Sequence, residues 1–303
     1  MKKLLILGGS GFIGSSFVNS GINKKLIKHK INEIYIFSRK NKLIKKKYKH
    51  IKINYVTKNI LNVKKFPQVD YIIYCLKHSN IRISKTYFNH FFKLLKKQIK
   101  KPKILFTSSG AVYGKNNDKI KNKESQIIDL RSINKLKDYK KEYAIEKIFI
   151  EKKITKLTLK DYDVSIARCY TFIGKEIIKY KYAIADIIKD SLNKDVIRLR
   201  ASNNVYRSYM YSDDLVEWLM VIVKNSSKKC PIFNVGSDEV INLRNLVKIF
   251  SKLFSKKIFL KKVSSKTLDY YAPSITKAKK ELNLKISINL KDAINSTIKS
   301  LNV

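Results

Sequence analysis

Tyr143 and Lys147 are the residues of this 303-residue chain whose types and spacing best suit proton chemistry. Tyrosine four positions before lysine puts phenol and ammonium on one helix face. A phenol titrates near 10 and is a poor base at neutral pH, but a neighbouring ammonium favours the phenolate. The spacing alone means little. With 18 Tyr and 58 Lys, about three such pairs are expected by chance, and two occur, at Tyr48–Lys52 and Tyr143–Lys147. Position separates them. Tyr48 falls in a lysine-rich stretch between the second and third strand candidates, whereas Tyr143 opens a helix after a strand that runs into Ser108-Ser109-Gly110.

A second constellation lies at the start of the chain. Only nine glycines serve the whole length, and Gly8, Gly9, Gly11 and Gly14 fall within seven positions. Ordinary usage would give roughly twenty-one in all. An apolar run, Lys3–Leu7, leads into this cluster, and a helical segment, Phe12–Asn19, follows it. Glycine is needed where a turn takes dihedrals that a Cβ forbids, where a pyrophosphate approaches the backbone, and where helix packs on strand. The first N–H groups of the helix then hold the anion. The spacing therefore points to a dinucleotide. At the end of the second strand candidate, NAD recognition usually needs an acid for the ribose 2′-hydroxyl. Phe37-Ser38-Arg39-Lys40 stands there instead, which favours the 2′-phosphate of NADP over NAD.

The elements that must position these groups recur in alternation. Strand candidates are Lys3–Leu7, Ile34–Phe37, Ile51–Val56, Tyr71–Leu76, Lys103–Thr107, Val164–Ala167 and Ile232–Val235. Helical periods run through Phe88, Phe91, Phe92, Leu95 and Ile99, and through Ala144, Ile148, Ile154 and Leu157. Apolar strands separated by helices predict an α/β fold, a Rossmann-type doubly wound parallel sheet. After about Tyr170 the alternation breaks up. The expected division is a dinucleotide-binding domain over 1–169, to which 206–237 return, and a smaller substrate-binding lobe over 170–205 and 238–303.

Composition narrows the function classes. Net charge is +43, yet only eight of the 66 basic residues are Arg, the residue that reads bases and forks onto phosphates. Lysines spread over the whole chain, with scarce Gly and Pro, fit compositional drift better than a selected polyanion surface. Cys75, Cys169 and Cys230 are scattered and odd in number, which argues for a reducing compartment and against a disulfide framework. His29, His50, His78 and His90 lack metal-ligand spacing, so no metal is expected. No apolar run approaches the ~20 residues of a membrane span, and a cytoplasmic protein is expected.

Taken together, these segments resemble an extended short-chain dehydrogenase of the NAD-dependent epimerase/dehydratase family, which modifies nucleotide-sugars. Gly8-x-x-Gly11-x-x-Gly14 is the short-chain dehydrogenase form of the glycine fingerprint. Ser108-Ser109-Gly110-Ala111-Val112-Tyr113-Gly114 is similar to the family's serine segment, and Tyr143, Lys147 and Glu151 to its Tyr-x-x-x-Lys-x-x-x-Glu helix. Ile166-Ala167-Arg168 through Gly174, Tyr206-Arg207-Ser208-Tyr209, Asp214-Leu215, Asn234-Val235-Gly236 and Pro273-Ser274-Ile275-x-Lys277 fall on further landmarks. Every glycine but Gly21, a helix C-cap candidate, stands at a family glycine position. The resemblance implies that Ser109 binds the sugar oxygen, Tyr143 is the acid/base, and Lys147 binds the ribose and tunes Tyr143. It places Gly8, Gly11, Phe12, Ile13, Gly14, Ser38, Arg39, Asn59 and Lys147 at the cofactor, NADP or NAD, and Ser109, Thr171 and Arg207 at the nucleotide-sugar. It also implies a homodimer through helices near 86–100 and 139–158, and a place in polysaccharide biosynthesis.

Departures narrow the reaction. Sugar 4,6-dehydratases of the family carry Thr-Asp-Glu where this chain has Ser109, Gly110 and Ala111, so elimination of water is the weaker expectation beside an epimerase or a 4-keto reductase. Thr171 replaces an Asn, and Ser208 the Asp after Arg207. The charge keeps a non-catalytic, RNA-binding use of the same fold as the alternative.

Overall fold

The computed structural model describes residues 2–19, 26–39, 51–78, 80–115, 118–264 and 268–301. Gly21, Lys40, Tyr48 and His50 lie outside them. Seven strands form one sheet: β1 (Lys2–Leu7), β2 (Ile31–Ser38), β3 (Lys52–Thr57), β4 (Tyr71–Tyr74), β5 (Lys103–Ser109), β6 (Val164–Cys169) and a later strand over Ile232–Val235. All neighbours run parallel, in the order Ile232–Val235, β6, β5, β4, β1, β2, β3. The order reverses between β1 and β4, where the crossovers leave opposite ways and open a crevice at the carboxyl edge. Each strand expected from the sequence is one of these seven. Tyr71–Leu76 is shortened, since Cys75 and Leu76 run past the ladder.

Period-two alternation explains why the inner strands carry apolar residues on both faces. On β1, Leu4 and Ile6 enter a core under α1 (Phe12–Asn19), while Leu5 and Leu7 enter a second core on the opposite face. That second face is covered by α2 (Ile81–Leu95), with Phe88 and Phe91, and by α4 (Asp138–Thr155), with Ile150 and Ile154; a short α3 (Leu130–Asn134) precedes α4. Helix α4 begins at Asp138, five residues before Tyr143. Lys137 flanks it without a side-chain cap, so no capping signal marks the start. Ile99 lies beyond α2 and is exposed.

The rest of the chain follows as β7 (Phe172–Ile173), α5 (Ala183–Asn193), β8 (Val196–Leu199), β9 (Asn204–Ser208), β10 (Met210–Tyr211), α6 (Ser212–Lys224) and β11 (Ile232–Val235), the seventh strand of the large sheet. Then come β12 (Val240–Asn242), α7 (Leu243–Phe254), β13 (Lys257–Leu260), β14 (Leu268–Tyr271), α8 (Thr276–Leu282) and α9 (Leu290–Ser300). Trp218 of α6 packs into the α1-side core. Ile187 and Ile188 of α5, Val247 and Phe250 of α7 and Ile294 of α9 build a further core with β8 and β9. There β9 lies between β12 and β14 in a three-stranded sheet. Among the described residues no helix is long and apolar enough to cross a membrane.

Candidate active site

The glycine turn after β1 is tied down by its own backbone. Gly8 and Gly9 donate to the Phe37 carbonyl of β2 at 3.1 and 3.0 Å. Gly8 has φ +99°, and a Cβ there would stand 2.8 Å from the Cys75 carbonyl oxygen. At Gly14 a Cβ would stand 2.5 Å from the Gly9 Cα, so no larger residue lets α1 approach the turn. Gly11 differs, because a Cβ would meet nothing nearer than the Gly8 carbonyl at 3.4 Å. That open side adjoins the first turn of α1, whose N–H groups lack intrahelical partners and which contains no acid. Phe12 and Ile13 are half-buried, and the Phe12 ring stacks on Phe172 with centroids 5.9 Å apart. Phe12 therefore turns its side chain away and offers the turn its main chain. Open space and free donors together fit a pyrophosphate.

Ser38 is half-buried and Arg39 exposed where β2 ends. Asn59 follows β3 and uses its Oδ1 to cap a short turn, accepting from the Leu61 N–H at 3.1 Å.

The end of β5 sends its two serines opposite ways. Ser108 donates to Glu151 at 2.5 Å, and Glu151 pairs with Arg168 of β6 at 2.8 Å, all three buried. Ser109 faces the other side, where its Oγ lies 3.2 Å from the Tyr271 hydroxyl and accepts from the Ala111 N–H at 3.2 Å. The Tyr143 phenol meets the Ser109 hydroxyl, with the Tyr271 phenol close by. Lys147, one turn on along α4, holds its Nζ 5.6 Å from the Tyr143 ring centroid and donates to the Leu76 carbonyl at 3.2 Å. Burial pushes the Tyr143 phenol well above its ordinary value and Tyr271 adds to this, while the Ser109 hydroxyl opposes it. Burial pushes the Lys147 ammonium down, against the pull of Glu146.

Ser109, Tyr143 and Lys147 are thus brought together at the carboxyl edge of the sheet. The other two substrate candidates are engaged elsewhere. Thr171 donates to the Ser208 carbonyl. Arg207 donates to the Tyr206 carbonyl at 2.7 Å and to the Asp269 carboxylate at 2.8 Å. It still borders the site, since its guanidinium lies 5.7 Å from the Tyr271 ring centroid. Burial works against the Asp269 carboxylate, but Arg207, with Lys140 and Lys115, holds it below the usual carboxylate range.

Sequence reasoning missed Tyr271 and Lys77. Tyr271 lies two positions before the Pro273 landmark, but one tyrosine among 18 carries no signal. Lys77 places its ammonium 4.6 Å from the Tyr143 ring centroid and is invisible among so many lysines. Gly110 is shaped by a neighbour, since a Cβ there would stand 2.4 Å from the Tyr170 ring.

A seven-stranded parallel sheet reversing at β1, with a glycine turn there and a Tyr-x-x-x-Lys helix opposite, defines a Rossmann-like protein of the short-chain dehydrogenase type. The chain belongs to the NAD dependent epimerase/dehydratase family, whose model matches residues 4–236. A curated relative, the bifunctional polymyxin resistance protein ArnA of Wigglesworthia glossinidia brevipalpis, is 24% identical over 298 residues, covering 91% of this chain. The chain spans only 43% of the length of that relative. Among solved structures, the epimerase Mth375 of Methanothermobacter thermautotrophicus superposes with a TM-score of 0.77 at 18% identity, covering 99% of this chain and 92% of its own. The dTDP-glucose 4,6-dehydratase of Bacillus anthracis, in complex with NAD, gives 0.77 at 19% identity, covering 100% and 97%. UDP-N-acetylglucosamine 4-epimerase of Bacillus cereus gives 0.76 at 16%, covering 100% and 96%.

Proposed function

We propose that this chain is a nicotinamide-dependent enzyme acting on a nucleotide-sugar, either as a C4 epimerase or as a 4-keto reductase. The observation that carries the reading is the meeting of Ser109, Tyr143 and Lys147 at the sheet edge that also bears the glycine turn. The dinucleotide, when bound, supplies the hydride acceptor or donor. Ser109 hydrogen-bonds the sugar oxygen, and Tyr143 gives or takes its proton. Lys147 binds ribose hydroxyls, and its charge favours the phenolate. Arg207 meets the diphosphate, which takes over the guanidinium from Asp269. An open cavity of about 500 Å³, lined by Tyr206, Asn242, Arg244 and Leu260 among others, supports a nucleoside site beside β9. Dehydration is disfavoured, because Gly110 and Ala111 carry no carboxylate and Tyr170 fills the space where one would start. A homodimer through α2 and α4 belongs to the same reading.

The test is turnover of a panel of UDP-, dTDP-, GDP- and CDP-sugars and their 4-keto forms. A stoichiometric change in nicotinamide absorbance marks a reductase, and product without net change marks an epimerase. Tyr143→Phe should lower either activity at least about 100-fold. Undiminished turnover in that variant would overturn the reading.

A further inference from the structure

The residue before Lys147 is Glu146. It sits where α4 packs on α2, 1% exposed. Oε1 accepts a 2.8 Å hydrogen bond from Ser84 Oγ of α2. Oε2 has no hydrogen-bond donor among the described residues and lies 3.8 Å from Lys147 Nζ, whose side chain is 3% exposed. An ammonium or a carboxylate buried alone costs several kcal/mol, which mutual attraction offsets. Among the described residues, the other groups acting on Lys147 include no second carboxylate. Lys77 adds a second cation, while Tyr87 of α2, Tyr143 of α4 and Tyr271 of β14 are phenols. Burial keeps the Tyr74 phenol and the Cys75 and Cys169 thiols protonated. Burial, with Lys147 and Arg39, pushes His78 down to about 4, so its ring is neutral.

We propose that Glu146 is a positioning residue: the buried counter-charge that keeps Lys147 an ammonium and holds it beside Tyr143. The proposal rests on the reading of Lys147 as a cofactor-binding group. Its sign on the pH scale is fixed. Removing the negative charge makes the Lys147 ammonium easier to deprotonate, and it also repels the Tyr143 phenolate less. Both limbs of a pH profile then move to lower pH. A residue that merely filled space would lower the profile without moving it.

The experiment compares the wild type with Glu146→Gln, which keeps the Ser84 hydrogen bond and the shape. NADPH and NADH affinities are followed by nicotinamide fluorescence from pH 6 to pH 11, alongside turnover. In the wild type affinity falls where Lys147 loses its proton. In the variant that fall should come about one pH unit lower, equivalent to a tenfold weaker hold on the proton. Glu146→Asp, which withdraws the charge by one methylene, should shift it less and in the same direction, and serves if the glutamine variant does not fold. Superimposed profiles with intact binding would overturn the role of Glu146 alone. Absence of dinucleotide binding by the wild type would overturn both this role and the functional reading.

Discussion

At the residue scale, we propose that cofactor choice turns on Arg39. The family is NAD-dependent, and no acid stands at Ser38 or Arg39 to greet a ribose 2′-hydroxyl. Arg39 is exposed where β2 ends, so its guanidinium is free to fork onto a 2′-phosphate. Arg39→Ala should weaken NADP binding roughly tenfold, the value of one charge-assisted hydrogen bond, and leave NAD affinity within a factor of two. Calorimetric titration with both dinucleotides checks this, and equal loss for both would refute a role in discrimination. The two serines show what the sequence does and does not reveal at this scale. Period-two pleating predicts that Ser108 and Ser109 part company, and they do. That Ser108 would join Glu151 and Arg168, 43 and 60 positions on, is not encoded in any local pattern.

At the scale of elements, legibility follows the source of the signal. Inner strands buried on both faces announce themselves as apolar runs, while the edge strand β3, with no buried residue, is legible from its alternation of β-branched and aromatic residues. The start of α4 is not legible, because Lys137 offers no side-chain cap. Arg207 could be singled out by its rarity, but its partner Asp269 stands 62 positions away on a strand that reads as nothing in particular. One pair of elements is joined by a buried ion pair. Glu151 on α4 and Arg168 on β6 are 7% and 5% exposed, and the Arg168 guanidinium also donates to Tyr113. Glu151→Ala leaves a buried guanidinium unpaired, at a cost of about 3–5 kcal/mol. The double variant Glu151→Ala, Arg168→Met should recover part of that loss. Urea unfolding of the single and double variants decides, and strict additivity would show that the pair does not couple α4 to the sheet.

For the whole molecule, charge sets the terms of association. Exposed cations outnumber exposed acids on these helices, with Arg82, Lys85 and Lys93 of α2 and Lys152 of α4 against Asp138 and Glu142 of α4. A two-fold dimer through these helices brings the same patch of both copies together, and salt screens their repulsion. Dimerisation should therefore strengthen several-fold between about 20 mM and 300 mM salt, as read by sedimentation. A dimer that dissociates over this range would place the contact elsewhere. RNA binding driven by the +43 net charge would run oppositely and fade steeply with salt, which separates the two kinds of association in one titration.

The contact between Gly110 and the Tyr170 ring also bears on how such a site changes over time. A carboxylate at position 110 needs a Cβ, and the nearest ring atom would be 2.4 Å from it. Tyr170 also anchors its hydroxyl on Asn122 and its ring on Tyr271. An acid at 110 therefore requires the Tyr170 ring to move or to be replaced by a smaller side chain. One ring thus couples what can stand at position 110 to what stands at position 170.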